Sequence, residues 1–276
     1  MLCSAGAAAR AQTAQMAPAA PAPPTPAPQQ PLFRRGQDET WLERNDLDVT
    51  VGGGIGLSPR FEGAKTDGLQ PLPYIDASWH DRVFLSTDDG LGVNLLNKHG
   101  FYTGPFVWIS DGRRAGSSDH LNGLSDVHTV AIGGLFARYE FNDAFDIFGR
   151  VHHDLARDRR GLTADIGAEL DLPVTDTLIA GLKTTATWAQ GDALQPLFGI
   201  TPAEAESSGF AAFSPGNGWR DVTVEPSLTL LLDEHWALTG LVTYERLLPA
   251  VSRSPLIADQ GNANQLGFGM ILSYHF

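Results

Sequence analysis

Several absences narrow this sequence before any pattern is read. It holds one cysteine, Cys3, in 276 residues, which excludes an intramolecular disulfide and any cysteine-built metal site. Charged residues make up 18% of the chain, against about a quarter in average soluble proteins. Cations are the scarcer sign, 19 Lys and Arg facing 32 Asp and Glu for a formal charge of −13. That balance excludes nucleic acid as a partner, because such binding needs Lys and Arg to neutralise phosphates. No run approaches the roughly 18 consecutive apolar residues of a membrane helix, and the mean hydropathy is −0.12.

What is present is a thin, even spread of apolar residues, 42% of the chain, together with 30 glycines. Alternation in a membrane β-barrel produces this average, and so does a soluble β-sandwich, so the order of residues has to decide. Residues 1–12, with Ala9-Arg10-Ala11 as an A-x-A cleavage site, read as the remnant of a secretory signal peptide. Residues 13–40 contain the Pro/Ala tract from Pro18 to Pro31 and are expected to form a disordered tether. The barrel is expected over 41–276.

Period-two alternation carries that expectation. Leu47 to Leu57 places apolar residues at odd positions and polar residues or glycine at even ones. Ala164, Ile166, Ala168 and Leu170 oppose Asp165 and Glu169; Val222, Val224, Leu228 and Leu230 oppose Thr223, Glu225, Ser227 and Thr229. At the C-terminal end, Leu266, Phe268, Met270, Leu272, Tyr274 and Phe276 share one face. Strands are placed near 47–57, 70–79, 82–87, 91–96, 100–110, 126–141, 143–153, 162–171, 176–189, 220–232, 235–247 and 264–276. All but 82–87 and 91–96 exceed the usual five or six residues of soluble strands, and tight connections alternate with long ones, as in outer-membrane barrels. The fold class is therefore all-β, a transmembrane antiparallel up-and-down barrel of about 12 strands. The weak segment is 82–96, where Asp88-Asp89-Gly90 separates two short stretches, and ten strands is the alternative.

Local signals add detail. Thr201-Pro202-Ala203-Glu204 is a capping box opening a short helix that Gly209 ends. Pro226 removes a ladder hydrogen bond, and a bulge is the expected accommodation. Trp79, Trp108, Trp188, Trp236, Tyr244 and Tyr274 fall near strand ends and are assigned to the headgroup level. His152-His153-Asp154 reads as a solvated rim cluster and not a metal site, because neighbouring residues on a strand point to opposite faces. Arg138, Asp146, Arg150, Asp165, Glu169, Lys183, Glu225 and Glu245 fall on inward faces. In a narrow lumen they pair into a plug; in a wide one they line a cation-favouring pore.

Taken in order, four segments resemble the MipA/OmpV family of outer-membrane proteins, the MltA-interacting protein family. They are Val51 to Gly63 followed by Pro71 to Tyr74; Gly90 to Leu96; Phe198 to Ala205 with Ser208-Gly209; and Ser254 to Leu256 through Gly261 to Gln265. The resemblance implies the outer membrane of a Gram-negative cell, a barrel in contact with outer-membrane lipid, and no catalytic motif to transfer. It also implies a scaffold joining a lytic transglycosylase to a murein synthase in peptidoglycan remodelling, with surface adhesin as another family role. The chain is read as non-enzymatic, and no catalytic, cofactor-binding or metal-binding residue is assigned. A small-solute channel is the alternative. A hydrolase built on Ser117, Ser118, Asp119 and His120 is the weaker rival, since nothing sets a nucleophile beside a base. Tyr274 and Phe276 resemble the terminal signal read by the barrel-assembly machinery.

Overall fold

The computed structural model describes residues 46–110, 112, 113, 115–118, 121–155 and 161–276. The expected signal remnant 1–12 and tether 13–40 lie outside them, as do Asp119 and His120. Strands β1 (Leu47–Pro59), β2 (Asp67–Trp79), β3 (Val83–Ser86), β4 (Gly90–Val93), β5 (Leu96–Lys98), β6 (Phe101–Ser110) and β7 (Val130–Asn142) form the first part of the wall. The rest is β8 (Phe145–Asp154), β9 (Leu162–Pro173), β10 (Leu178–Ala189), β11 (Gly218–Leu231), β12 (Trp236–Leu247) and β13 (Asn264–His275). Every pairing is antiparallel between neighbours, β13 returns to β1, and β4 meets β6, so the sheet closes.

Thirteen strands occupy twelve positions around the wall, because β4 and β5 both pair with β6. Gly92 pairs with Phe106 and Leu96 with Thr103, which brings the break at Asn94-Leu95 beside Pro105. Proline has no N–H for the ladder, and the strand breaks there. The even strand number of a bacterial barrel is kept, and the segment 82–96 supplies two wall positions.

Alternation sorts the two faces. Ile55, Leu69, Leu135, Ile166, Leu228 and Met270 are exposed, while Thr50, Asp165, Thr229 and Ser273 are buried inside. An outer apolar face over an inner polar one is the reverse of a soluble protein and matches a wall bathed in lipid. Trp79, Trp236, Tyr244 and Phe276 stand exposed near strand ends. Trp108 departs from the expected girdle: it faces inward, with the Arg150 guanidinium 5.8 Å from its ring. Trp219, exposed at the start of β11, takes an outer position instead.

Pro226 is accommodated without a bulge. The β11–β12 ladder pairs Val224 with Tyr244 and resumes at Ser227 with Leu241, so the register holds and the rungs at 225 and 226 are skipped. A register shift occurs instead in β10–β11, where Thr187 pairs with Asp221 and Trp188 with Trp219. Arg220 is the extra residue, and the bulge turns its side chain to the same side as Asp221.

Among the described residues the long connections carry four short α-helices, α1 (Gly191–Phe198), α2 (Pro202–Ser208), α3 (Pro249–Ser252) and α4 (Pro255–Ala258). Helix α2 has the expected capping box, and Gly209 closes it at φ +80°. Helices α1, α3 and α4 were not expected from the sequence, although Pro249 and Pro255 are first-turn prolines of the kind that open a helix. The predicted strand 126–141 begins only at Val130; Val127 instead bridges to Arg113 within the loop. Phe61, Leu121, Leu194, Phe198, Ile200, Val251 and Ile257 join the loops after β1, β6, β10 and β12 in one buried apolar cluster. Those loops rise from separated points of the rim, so their shared core spans the mouth.

Candidate functional site: the charged lumen

The lumen has two unlike sides. Along β1, β2, β12 and β13 it holds an apolar patch, Leu72, Tyr74, Leu241 and Ile271 packed together, among buried polar residues such as Thr50, Thr239 and Ser273. Glycines make room there: a Cβ on Gly54 would lie 1.9 Å from the Met270 carbonyl oxygen. Along β7 to β11 the lumen is charged, and the register sets the charges in rows. Asp146 pairs with Glu169, Glu169 with Lys183 and Lys183 with Glu225. Four residues along each strand, Arg150 pairs with Asp165, Asp165 with Thr187 and Thr187 with Asp221.

Side chains join these rows into a ladder. Arg138 Nε lies 3.4 Å from Asp146 Oδ1, and its Nη2 lies 3.4 Å from Glu169 Oε2. Lys183 Nζ is 3.2 Å from Glu169 Oε1 and also meets Asp88. Arg150 Nε is 3.4 Å from Asp165 Oδ2, and its Nη1 donates to Asp89 Oδ1 at 3.2 Å. His152 is not on a solvated rim: its Nε2 stands 3.2 Å from Asp165 Oδ2, inside the wall. Glu225 Oε2 accepts the Thr243 hydroxyl at 2.6 Å. Buried charges persist when paired in this way.

Phe148 sits at the centre of the ladder. Its ring lies 5.8 Å from the Arg138 guanidinium, 5.6 Å from that of Arg150 and 5.7 Å from Lys183 Nζ. A cation over an aromatic face is attracted by the ring quadrupole, more strongly where water is excluded. Gly167 opens the space, since a Cβ there would come within 2.4 Å of the ring.

Near the mouth, Glu62, Asp221 and Glu245 bring carboxylate oxygens within 4.8 Å of one another. Arg220 supplies the opposing charge, in contact with Asp221 and 3.6 Å from Glu62 Oε1. Burial raises the Glu62 pKa above the ordinary range, against the pull of Arg220. Of the eight charges expected inside, Glu245 is the one grouped here, apart from the ladder. Arg220, Asp221 and Phe148 were not singled out by the sequence, which read Asp88-Asp89 only as a break between short strands and His152 only as a rim residue. Phe148 shares a face with Asp146 and Arg150 at spacing two, a signal that was legible. Arg220 was hidden by the bulge.

Below the loop cluster the lumen leaves a cavity of about 280 Å³, lined among others by Asp88, Trp108, Ile109, Arg150, Asp221 and Glu245. A closed antiparallel barrel with a lipid-facing exterior and a paired polar interior defines an outer-membrane β-barrel protein. Residues 51–276 match the family described as MltA-interacting protein MipA, and the chain belongs to that family. No curated protein matches the sequence. Among solved structures it is similar to the NanC porin, at 10% identity over 83% of this chain and 98% of that one, TM-score 0.42. It is also similar to an outer membrane channel from Pseudomonas putida F1, at 11% identity over 84% of this chain and 96% of that one, TM-score 0.42. Its location is the outer membrane.

Proposed function

We propose that the protein is a non-enzymatic scaffold that holds peptidoglycan-remodelling enzymes, a lytic transglycosylase and a murein synthase, against the inner surface of the outer membrane. The carrying observation is the charge of the tight-turn end, which is the periplasmic end in barrels of this kind. Its exposed turns carry six carboxylates, Asp46, Asp81, Asp143, Asp176, Asp233 and Glu234, against one cation, Arg82, with Lys98 at the end of β5 beside them. The Asp233 carboxyl is held below the ordinary range by the N–H groups of His235 and Trp236, which keeps it charged. Such a face attracts a basic surface on a partner and repels an acidic one. The family description, MltA-interacting protein, supports a partner of the lytic transglycosylase class. The paired lumen favours a scaffold over an open channel. Tyr274 and Phe276, with rings 4.9 Å apart, are proposed as the segment read by the barrel-assembly machinery.

The test is recovery of a purified MltA-type lytic transglycosylase on the folded, immobilised barrel. Recovery is expected to fall as salt rises, since surface attraction is screened, and to fall further in the triple variant Asp143→Lys, Asp176→Lys, Asp233→Lys. Equal recovery by the variant would remove the acidic turns from the interface. A chain lacking 13–40 separates a contribution of the tether from that of the turns.

A further inference from the structure

The wall is incomplete on one side. Strands β3 and β4 have four residues each, between β2 with 13 and β6 with 10. Ser86, the last residue of β3, pairs with Asp76, so β2 rises past the hairpin from Ile75 to Asp67. Thr87 makes the final rung, its N–H donating to the Ile75 carbonyl at 2.9 Å and its Oγ1 accepting the Ile75 N–H at 2.8 Å. Above it, among the described residues, no backbone pairing joins β2 to β6. With β3 and β4 absent, three strand spacings separate them, a gap of roughly 14 Å.

Proline suits this edge. Backbone groups alternate between the two neighbours of a strand, and Ile75 points its groups to the β3 side, so Pro73 and Pro71 do the same. An N–H exposed to hydrocarbon costs several kcal/mol, and at these two positions there is none. The gap lies in the apolar belt: Leu69 is 72% exposed on one side of it and Ile109 63% on the other. Ile109 and Trp108 of β6, with Asp88 at the hairpin tip, also line the lumen cavity. The loop cluster covers that cavity from above. Its lining carries seven carboxylates, among them Glu62, Asp221 and Glu245, against four Lys and Arg side chains.

We propose that the gap between β2 and β6 is a lateral entrance from the membrane. Through it a single-chain amphiphile with an ammonium head places that head in the acidic lumen cavity and leaves its alkyl chain in the gap. The excess of carboxylates selects a cation, and the cavity volume holds a head and a few methylenes but not a whole lipid.

The folded full-length chain in dodecyl maltoside micelles, titrated calorimetrically against protein-free micelles, tests this with three probes. Dodecylammonium is expected to bind saturably, at least about tenfold more tightly than butylammonium or dodecyl phosphate. Glu245→Gln, checked for its β-type circular dichroism, is expected to weaken dodecylammonium while the wild-type fold is retained; if that variant does not fold, the probe ranking alone decides. Equal binding of butylammonium overturns the lateral entrance, because the chain then adds nothing. Equal binding of dodecyl phosphate overturns the choice of head. Absence of saturable dodecylammonium binding overturns both.

Discussion

Arg150 shows how much a single side chain holds inside this barrel. It touches Asp89 and Asp165, lies against Trp108 and Phe148, and is 13% exposed. Arg150→Ala takes the guanidinium from the buried Asp165, which keeps only His152, and from the half-buried Asp89, a change that costs about 3 kcal/mol. A lowered midpoint of urea unfolding in micelles is the expected result, with a smaller loss for Arg150→Lys, which keeps the charge but not the fork. Gly54 is as constrained by space as Arg150 is by charge. Gly54→Val would drive Cβ into the Met270 carbonyl, and the seam of β1 with β13 would open. The folded fraction recovered on refolding into micelles, read by protease resistance of the barrel, is expected to drop sharply. Nothing in the run Gly52-Gly53-Gly54 announces which glycine is irreplaceable, since that depends on how near the neighbouring strand approaches.

At the scale of elements, helix α2 is the clearest case of local sequence setting local structure. Thr201 Oγ1 accepts the Glu204 N–H, and the Glu204 carboxylate accepts the N–H groups of Thr201 and, from the loop after β6, Ser125. Burial works to raise the Glu204 pKa, but these hydrogen bonds outweigh it and lower it to about 2. A folded pKa below the ordinary 4.5 means the carboxylate stabilises its surroundings above pH 4.5. That contribution is lost as pH falls from there towards 2. Amide exchange protection of residues 202–208 and of Ser125 is expected to fall together across that window, and Glu204→Gln to abolish the pH dependence. The capping box was legible because its residues are three apart; the bond to Ser125, 79 residues away, was not. The hairpin of β3 and β4 was legible as a weakness, while its consequence, a wall that stops halfway, needed the register with β2.

For the whole molecule, the charge ladder and the loop cluster set the expected electrical behaviour. The purified barrel in a planar bilayer is expected to give no discrete ohmic steps. A chain in which 191–217 is replaced by a short turn, together with Lys183→Ala, is expected to conduct, because it removes part of the cap and one rung of the ladder. Steady conductance by the unaltered chain would favour a small-solute channel over the scaffold.

Sequence alone determined what depends on neighbours along the chain. Alternation at spacing two separated a lipid face from a lumen face, and so placed Arg138, Asp146, Arg150, Asp165, Glu169 and Lys183 on inward faces. It also allowed twelve wall positions and the turn ends to be counted. Tertiary structure decided what depends on approach between distant strands. The bulge at Arg220 breaks the alternation that a sequence reading relies on, Trp108 turns inward to meet Arg150, and Asp88 and Asp89 reach back into the lumen from a hairpin tip. Whether paired charges fill a barrel or line a pore is likewise a matter of distance across the lumen. A one-dimensional pattern carries the face of each residue but not the separation between faces, and that separation is what the closed sheet supplies.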